Sequence, residues 1–274
     1  MIFALAALAV CLCQLEIDRR RRETPDQDEL MYFPSARFTR TAAFGYDNLI
    51  GDCVWLDIIQ YYGRHSLSDM QYRYLKHMLN VLVALVPRFT NAYTFGALLL
   101  ITDGNDQTGA FDLLETGLRR NPTEGSIAFT RGFFHYVFLK DYREASRWFA
   151  IASRMPGAPE MAGRFAAFAR QKGHDLATAR ALWLEVRNKS RNPTERLMAE
   201  GYIAKIDRTL LLQQLQRRAD EFRSRAGRPP HSLYELVGAG LLAVVPQDPM
   251  GGRFTVDRSS GKVSAVGGHT PFNQ

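Results

Sequence analysis

The middle of this chain repeats itself at a spacing of about 34 residues. Phe129, Gly132, Phe133, Tyr136, Ala145, Phe149 and Ala152 are separated by 3, 1, 3, 9, 4 and 3 residues, and a shift of 34 brings a partly matching small/large pattern at Gly163, Ala166, Ala167, Ala179 and Trp183. Units repeated at that period cannot bury their apolar side chains alone, so each must stack on its neighbours. The pattern therefore predicts a row of similar helical units with a concave face left for a partner. It points to a scaffold rather than a catalyst.

At 274 residues the chain can hold one large or two modest domains. With 46% hydrophobic and 23% charged residues it can bury a sizeable core, which excludes global disorder. The net charge of +7 and pI of about 9.4 favour contact with anionic lipid, nucleic acid or an acidic protein without choosing among them. Arg19, Arg20, Arg21 and Arg22 alone carry four of those charges, so the bias of the folded body is mild. Apart from that run and residues 217–228 the basic residues are dispersed, and no nucleic-acid partner is expected. Three cysteines (Cys11, Cys13 and Cys53) build no disulfide framework, and no CxxC metal spacing occurs. Cys53 is expected to be a small buried apolar residue.

Residues 2–15, IFALAALAVCLCQL, are apolar almost throughout and are followed by Glu16, Asp18 and the four arginines. A run of roughly 14 residues is closer to the core of a leader peptide than to a full span of about 20. No basic stretch precedes it and no small-x-small cleavage site is clear. Three readings stand: an uncleaved membrane anchor, a leader that lacks its basic start, and an apolar segment buried in a soluble complex. Arg19–Arg22 read as a juxtamembrane stop that can sit against anionic headgroups, and the positive-inside rule then places the body in the cytoplasm.

Residues 23–40 are expected to be a linker with breakers at Pro25 and Pro34. A helix is expected over 41–62, where Leu49, Cys53, Leu56, Ile59 and Ile50, Val54, Trp55, Ile58 keep a helical period and Gly63 ends it. The next is expected over 69–86, capped by Ser68 and stopped before Pro87. Further pairs follow at 90–101 with 107–118, at 126–139 with 141–154, and at 160–171 with 175–188. The turns between partners are 103–106, Asp141 and 172–175, and Pro122, Pro156 and Pro193 close the units. A long helix over 195–226, basic at its end, completes the α-rich part.

This arrangement resembles the tetratricopeptide repeat (TPR), in which large and small residues hold set places on two antiparallel helices and a proline closes the second. Phe129, Gly132, Phe133 and Tyr136 fit the first helix of that motif; Ala145, Phe149 and Ala152 fit the second. Ile59, Tyr62, Gly63, Leu75, Leu79, Leu82 and Pro87 fit a preceding unit, Ala110, Leu114, Gly117 and Pro122 the one between, and Ala179 and Trp183 the last. The resemblance covers about residues 56–194. It implies a mainly α fold: a TPR-like α-solenoid of about four hairpins over 41–195, continued by the long basic helix over 196–228. Motif positions of this kind are packing positions, so they speak to fold rather than to activity.

Residues 229–274 change character. A short helix is expected within 232–242, then strands at 253–257 and 262–266 joined by a turn at Ser259–Gly261. Gly227, Pro230, Ser232, Leu233, Glu235 and Leu236, then Gly240, Leu241 and Leu242, then Pro246, Asp248, Pro249 and Gly251, then Gly261, Val263 and Ser264 give residues 215–266 a wording similar to the C-terminal region of the type II secretion major pseudopilins. The resemblance implies a small α+β tail. Pseudopilins bind calcium through an acidic loop near the C-terminus; here only Asp248 and Asp257 remain, so no calcium site is expected. Their N-terminal methylation signature is absent too, so the chain is not expected to be a pilin subunit itself.

No HExxH, GxSxG, Walker A or Rossmann glycine pattern occurs, and the six histidines are scattered. The segment Asp103-Gly104-Asn105-Asp106 is read as a plain interhelical turn. No catalytic, cofactor-binding or metal-binding residue is assigned, and the chain is not expected to be an enzyme. The expected role is a membrane-anchored scaffold that holds a protein in an envelope assembly of pilus, secretion or respiratory type. The anchor would be residues 1–22, and the likeness to such repeat proteins implies a bacterial inner membrane with the body in the periplasm, against the arginine rule above. Contacts to the partner are assigned to polar and aromatic positions of first helices: Asn91, Tyr93, Phe95, Arg131, His135 and Arg164. A purely structural subunit with an empty groove is one alternative, and an enzyme whose site only the fold assembles is another.

Overall fold

The computed structural model describes residues 35–268. The described chain is mainly helical and ends in a small antiparallel sheet of two strands. Its helices are α1 (Ala36–Ala42), α2 (Asp47–Ser66), α3 (Leu75–Leu85), α4 (Thr90–Thr102), α5 (Gln107–Arg120), α6 (Gly125–Phe134), α7 (Tyr142–Ala152), α8 (Ala162–Lys172), α9 (Leu176–Lys189), α10 (Pro193–Ala226) and α11 (Leu233–Gly238). The strands are β1 (Arg253–Val256) and β2 (Val263–Val266).

From α2 to α10 each helix packs on the next in chain order, and α1 lies on α3. The core is correspondingly a chain of overlapping clusters. Ile58, Leu79, Tyr93, Leu114 and Phe134 belong to the first, Ala145, Phe149 and Ala166 to the next, and Ala167, Ala179, Trp183 and Ile206 to the third. The patterned residues of the sequence mostly fall inward: Leu75, Leu79, Leu82, Ala110, Leu114, Ala145, Phe149, Ala179 and Trp183 are fully buried. Small residues let the helices close up. A Cβ placed on Gly117 would lie 2.8 Å from the Tyr93 ring, and one on Gly132 would lie 2.9 Å from Phe149.

The helix starts are set by side-chain caps. Asp106, Asp141 and Asp175 each stand one residue before α5, α7 and α9 and accept an amide hydrogen bond from Gly109, Glu144 and Thr178 respectively. Asn192 does the same for α10 through Thr194.

Several boundaries differ from the sequence reading. Helix is already present at Ala36–Ala42, within the stretch expected to be a linker, because Ser35 caps it. A turn with Phe44 and Gly45 at positive φ separates α1 from α2, so no single helix spans Thr41 to Tyr62. Gly63 lies inside α2 rather than ending it, and α3 starts at Leu75 rather than beside Ser68, whose hydroxyl donates to the Arg64 carbonyl. Pro193 opens α10 instead of closing α9; at the first helical position the missing N–H is not needed. Residues 135–139 widen into a π turn that ends on Lys140 in the left-handed region.

The terminal module leans on the last helix. Leu215 and Ala219 of α10 form one cluster with Leu233, Leu236, Phe254 and Val263. Gln216 ties the sheet to the helix: its Oε1 accepts from the Val263 amide at 2.8 Å and its Nε2 donates to the Gly261 carbonyl at 3.2 Å. Phe254 pairs with Ala265 and Val256 with Val263 across the antiparallel ladder. Among the described residues no helix is long and apolar enough to cross a membrane.

Candidate functional site

Of the six assigned partner contacts, the structure brings Arg131 and His135 together and leaves the others apart. Arg131 of α6 is held in a box made by three helices. Its guanidinium lies 4.4 Å from the ring centre of Trp148 on α7 and 5.9 Å from that of Phe111 on α5, and it pairs with Glu115 of α5. Stacking of a weakly hydrated, planar cation between aromatic faces is the environment that suits Arg and not Lys. One turn on, His135 packs edge-on against Phe111 as well, the ring centres 5.2 Å apart. Burial pushes the His135 pKa below its ordinary value and the Arg131 charge adds to that, while Asp141 and Glu144 act in the opposite direction.

Arg164 of α8 stands in a different place. Its Nε lies 3.2 Å from Glu195, in the first turn of α10, and the other oxygen of Glu195 accepts a hydrogen bond from Ser190 at 2.5 Å. This pair lines a cleft of about 370 Å³ where α7, α8, α9 and the start of α10 meet. Arg154, Lys189 and Arg191 add positive charge to its walls, Glu160 and Glu185 negative charge, and Ala150, Leu182 and Val186 apolar surface. Lys189 reaches Glu185 and holds that carboxyl below its ordinary range, with Arg154 contributing. A lining that mixes both signs of charge with apolar surface is suited to a peptide segment.

On α4, Asn91 is exposed and Phe95 presents part of its ring, edge-on to Trp55 at 6.0 Å. Tyr93, assigned as a partner contact, presents no exposed side chain. It is fully buried, packs on Gly117, and its hydroxyl donates to the Pro87 carbonyl at 3.0 Å. The helical period that put Tyr93 on the same helix as Asn91 and Phe95 could not say which way it pointed. Arg19, Arg20, Arg21 and Arg22, with the rest of residues 1–22, lie outside the described residues.

Cys53 is exposed, against the expectation of burial. Of the two periodic series in α2, Val54 and Ile58 face the core, while Leu49, Cys53, Leu56 and Ile59 face outward. The turn at 103–106 is occupied by protein partners: Asp103 accepts from the Tyr62 hydroxyl at 3.1 Å, and Asp106 is the cap of α5 with Lys76 3.1 Å away. Among the described residues no group of three or more His, Cys, Asp or Glu side chains is placed to hold a metal ion. The cleft beside Arg164 is the feature the sequence did not reveal, since its walls come from residues 150–195 and only folding brings them together.

Compared with protein-family models, curated proteins and solved structures, the chain matches none.

Proposed function

We propose that the chain is a protein-binding scaffold: a TPR-like α-solenoid whose stacked hairpins hold a segment of another subunit in a membrane or envelope assembly. The observation that carries this reading is the cleft at Arg164. It is open, is lined by both signs of charge and by apolar side chains, and is built by consecutive hairpins rather than by one loop. The chain-order packing of α2 to α10 and the run of overlapping core clusters support a stacked architecture. Arg131, His135 and Phe95 are further surface contacts along the same array. Membrane attachment through residues 1–22 and a periplasmic body are separate expectations of the sequence, on which the described residues do not bear.

The reading is tested by purifying the tagged full-length chain from its own cells in mild detergent and identifying co-purifying subunits by mass spectrometry. Reversing Arg154 and Arg191 to Glu should abolish retention of the partner while leaving the thermal midpoint near that of the wild type. Full retention by that variant, with the same partner held, sinks the cleft reading and leaves a structural subunit with an empty groove.

A further inference from the structure

The two outer edges of the terminal sheet are not alike. In an antiparallel ladder, opposite residues alternate between pairs that bond across it and pairs whose N–H and C=O groups point away from it. The Val263 amide donates to Gln216 rather than across the sheet, and at the next step the Asp257 amide reaches the Lys262 carbonyl. Val256 and Val263 are therefore an outward-pointing pair, and so, two steps on, are Phe254 and Ala265. On the β2 side Gln216 of α10 meets that edge. On the β1 side the backbone N–H and C=O groups of Phe254 and Val256 have no protein partner among the described residues. An unpaired edge of this kind is a template for a further strand.

An open cleft of about 760 Å³ runs beside that edge. All four residues of β1 line it and none of β2 does, whereas a hollow on the face of the sheet would take alternate residues from both strands. Residues 231–234 and 245–248 form the other wall, where Tyr234 is 77% exposed. Arg253 and Arg258 line the cleft, are exposed, and pair with no carboxylate among the described residues. The carboxylate that does line it, Asp248, is buried and already held by Arg208. We propose that β1 is extended here by an acidic strand of a partner protein, bonded through its backbone to Phe254 and Val256 and through its carboxylates to Arg253 and Arg258. This site is separate from the cleft at Arg164 and does not rest on it. Charge selects the occupant. A second copy of β1 would gather the arginines of both copies around a four-residue ladder, which opposes self-pairing. Two outward-facing residues allow only a short ladder, so the arginines must set the selectivity.

The probe is a labelled hexapeptide of alternating Val and Glu. Opposite residues of a ladder point to the same face, so its Val side chains can follow Phe254 and Val256 while its Glu side chains follow Arg253. One companion peptide is N-methylated at the Val amides, and another carries Lys in place of Glu. Binding to the full-length chain is read by fluorescence anisotropy and by hydrogen exchange of single amides. The Glu peptide should bind and slow exchange at Phe254 and Val256. N-methylation should weaken it roughly tenfold, through lost backbone bonds, and the Lys peptide should not bind. Arg253→Glu/Arg258→Glu, a change of exposed side chains, should reverse the preference between the Glu and Lys peptides while the thermal midpoint stays near that of the wild type. Four results overturn the proposal: no binding of the Glu peptide, binding that leaves exchange at Phe254 and Val256 unchanged, equal binding of the N-methylated peptide, or a free chain that sediments as a dimer with those two amides already slow.

Discussion

The guanidinium of Arg208 on α10 lies 2.9 Å from the carboxylate of Asp248, whose side chain is fully buried. The same arginine donates to the Gly267 carbonyl at 2.6 Å, and Asp248 also accepts the Met250 amide at 3.0 Å. Backbone closes over the pair: a Cβ on Gly252 would fall 2.5 Å from the Asp248 carboxylate. Arg208 thus ties the terminal module to the long helix at two points, Asp248 and Gly267.

Breaking that pair from one side should loosen the module. Asp248→Ala leaves a largely buried guanidinium without its counter-charge, a change that costs about 3–5 kcal/mol when a buried pair is split. The double variant Arg208→Met/Asp248→Leu should be much milder, because neither charge is then left buried. Hydrogen exchange of the β1 and β2 amides reads the effect locally. Equal protection in Asp248→Ala and wild type would show that the pair does not hold the sheet.

The three aspartate caps offer a second test. Replacing Asp106, Asp141 or Asp175 by Ala should each cost about 1 kcal/mol, and replacement by Asn much less, since Asn keeps the acceptor. Asp106 and Asp175 are held below the usual carboxylate range, chiefly by the amide and hydroxyl donors at Gly109 and Thr178. For a depressed acid the stabilisation is complete above the unfolded value of about 4 and is lost as pH falls through the folded value. Asp106→Asn should therefore flatten the acid limb of the stability curve in thermal melts below about pH 4.

These caps also show what was legible beforehand. Asp141 and the turn at 172–175 could be placed because a short polar group before an apolar period has one local meaning, and the terminal hairpin could be placed from its alternation and its glycine turn. Orientation was not legible. Leu49 and Ile58 obey the same period in α2, yet one faces water and the other the core, because only α3 decides which side is inside. Tyr93 is buried and Cys53 exposed for the same reason. The cleft at Arg164 depends on α7, α8, α9 and the start of α10 converging, a non-local fact no window of sequence contains. Pro193 starts a helix where the repeat pattern predicts a stop, since proline serves either end of a helix and the deciding cap, Asn192, is adjacent.

The box around Arg131 predicts that charge alone will not suffice there. Arg131→Lys keeps the pairing with Glu115 within reach but gives up the planar stacking on Trp148 and Phe111. A loss of about 1–2 kcal/mol in denaturant unfolding is expected. In a cycle with Trp148→Leu, the second substitution should cost less on the Lys background than on the Arg background. Additive losses would mean that Arg131 and Trp148 touch without supporting each other.

His135 should make the same region sensitive to mild acid. Its ring is half-buried against Phe111, its Nδ1 is buried without a partner, and Arg131 stands one turn away. Burial first, and the neighbouring cation second, lower its pKa from the ordinary value of about 6.5. The unfolded chain therefore takes up the proton before the folded one does, and stability must rise with pH across that interval. It is complete above about pH 6.5 and drains away as pH falls through the lowered value. His135→Phe removes the proton site while keeping an aromatic ring, so its thermal midpoint should change less between pH 7 and pH 5 than that of the wild type. Arg131→Gln should also shallow the slope, because it removes the nearby positive charge that disfavours protonation, whereas Glu144→Gln should steepen it by removing an opposing negative one. Parallel wild-type and His135→Phe curves would show that the imidazole keeps the same proton affinity folded and unfolded, and the box would then have no part in the response to pH.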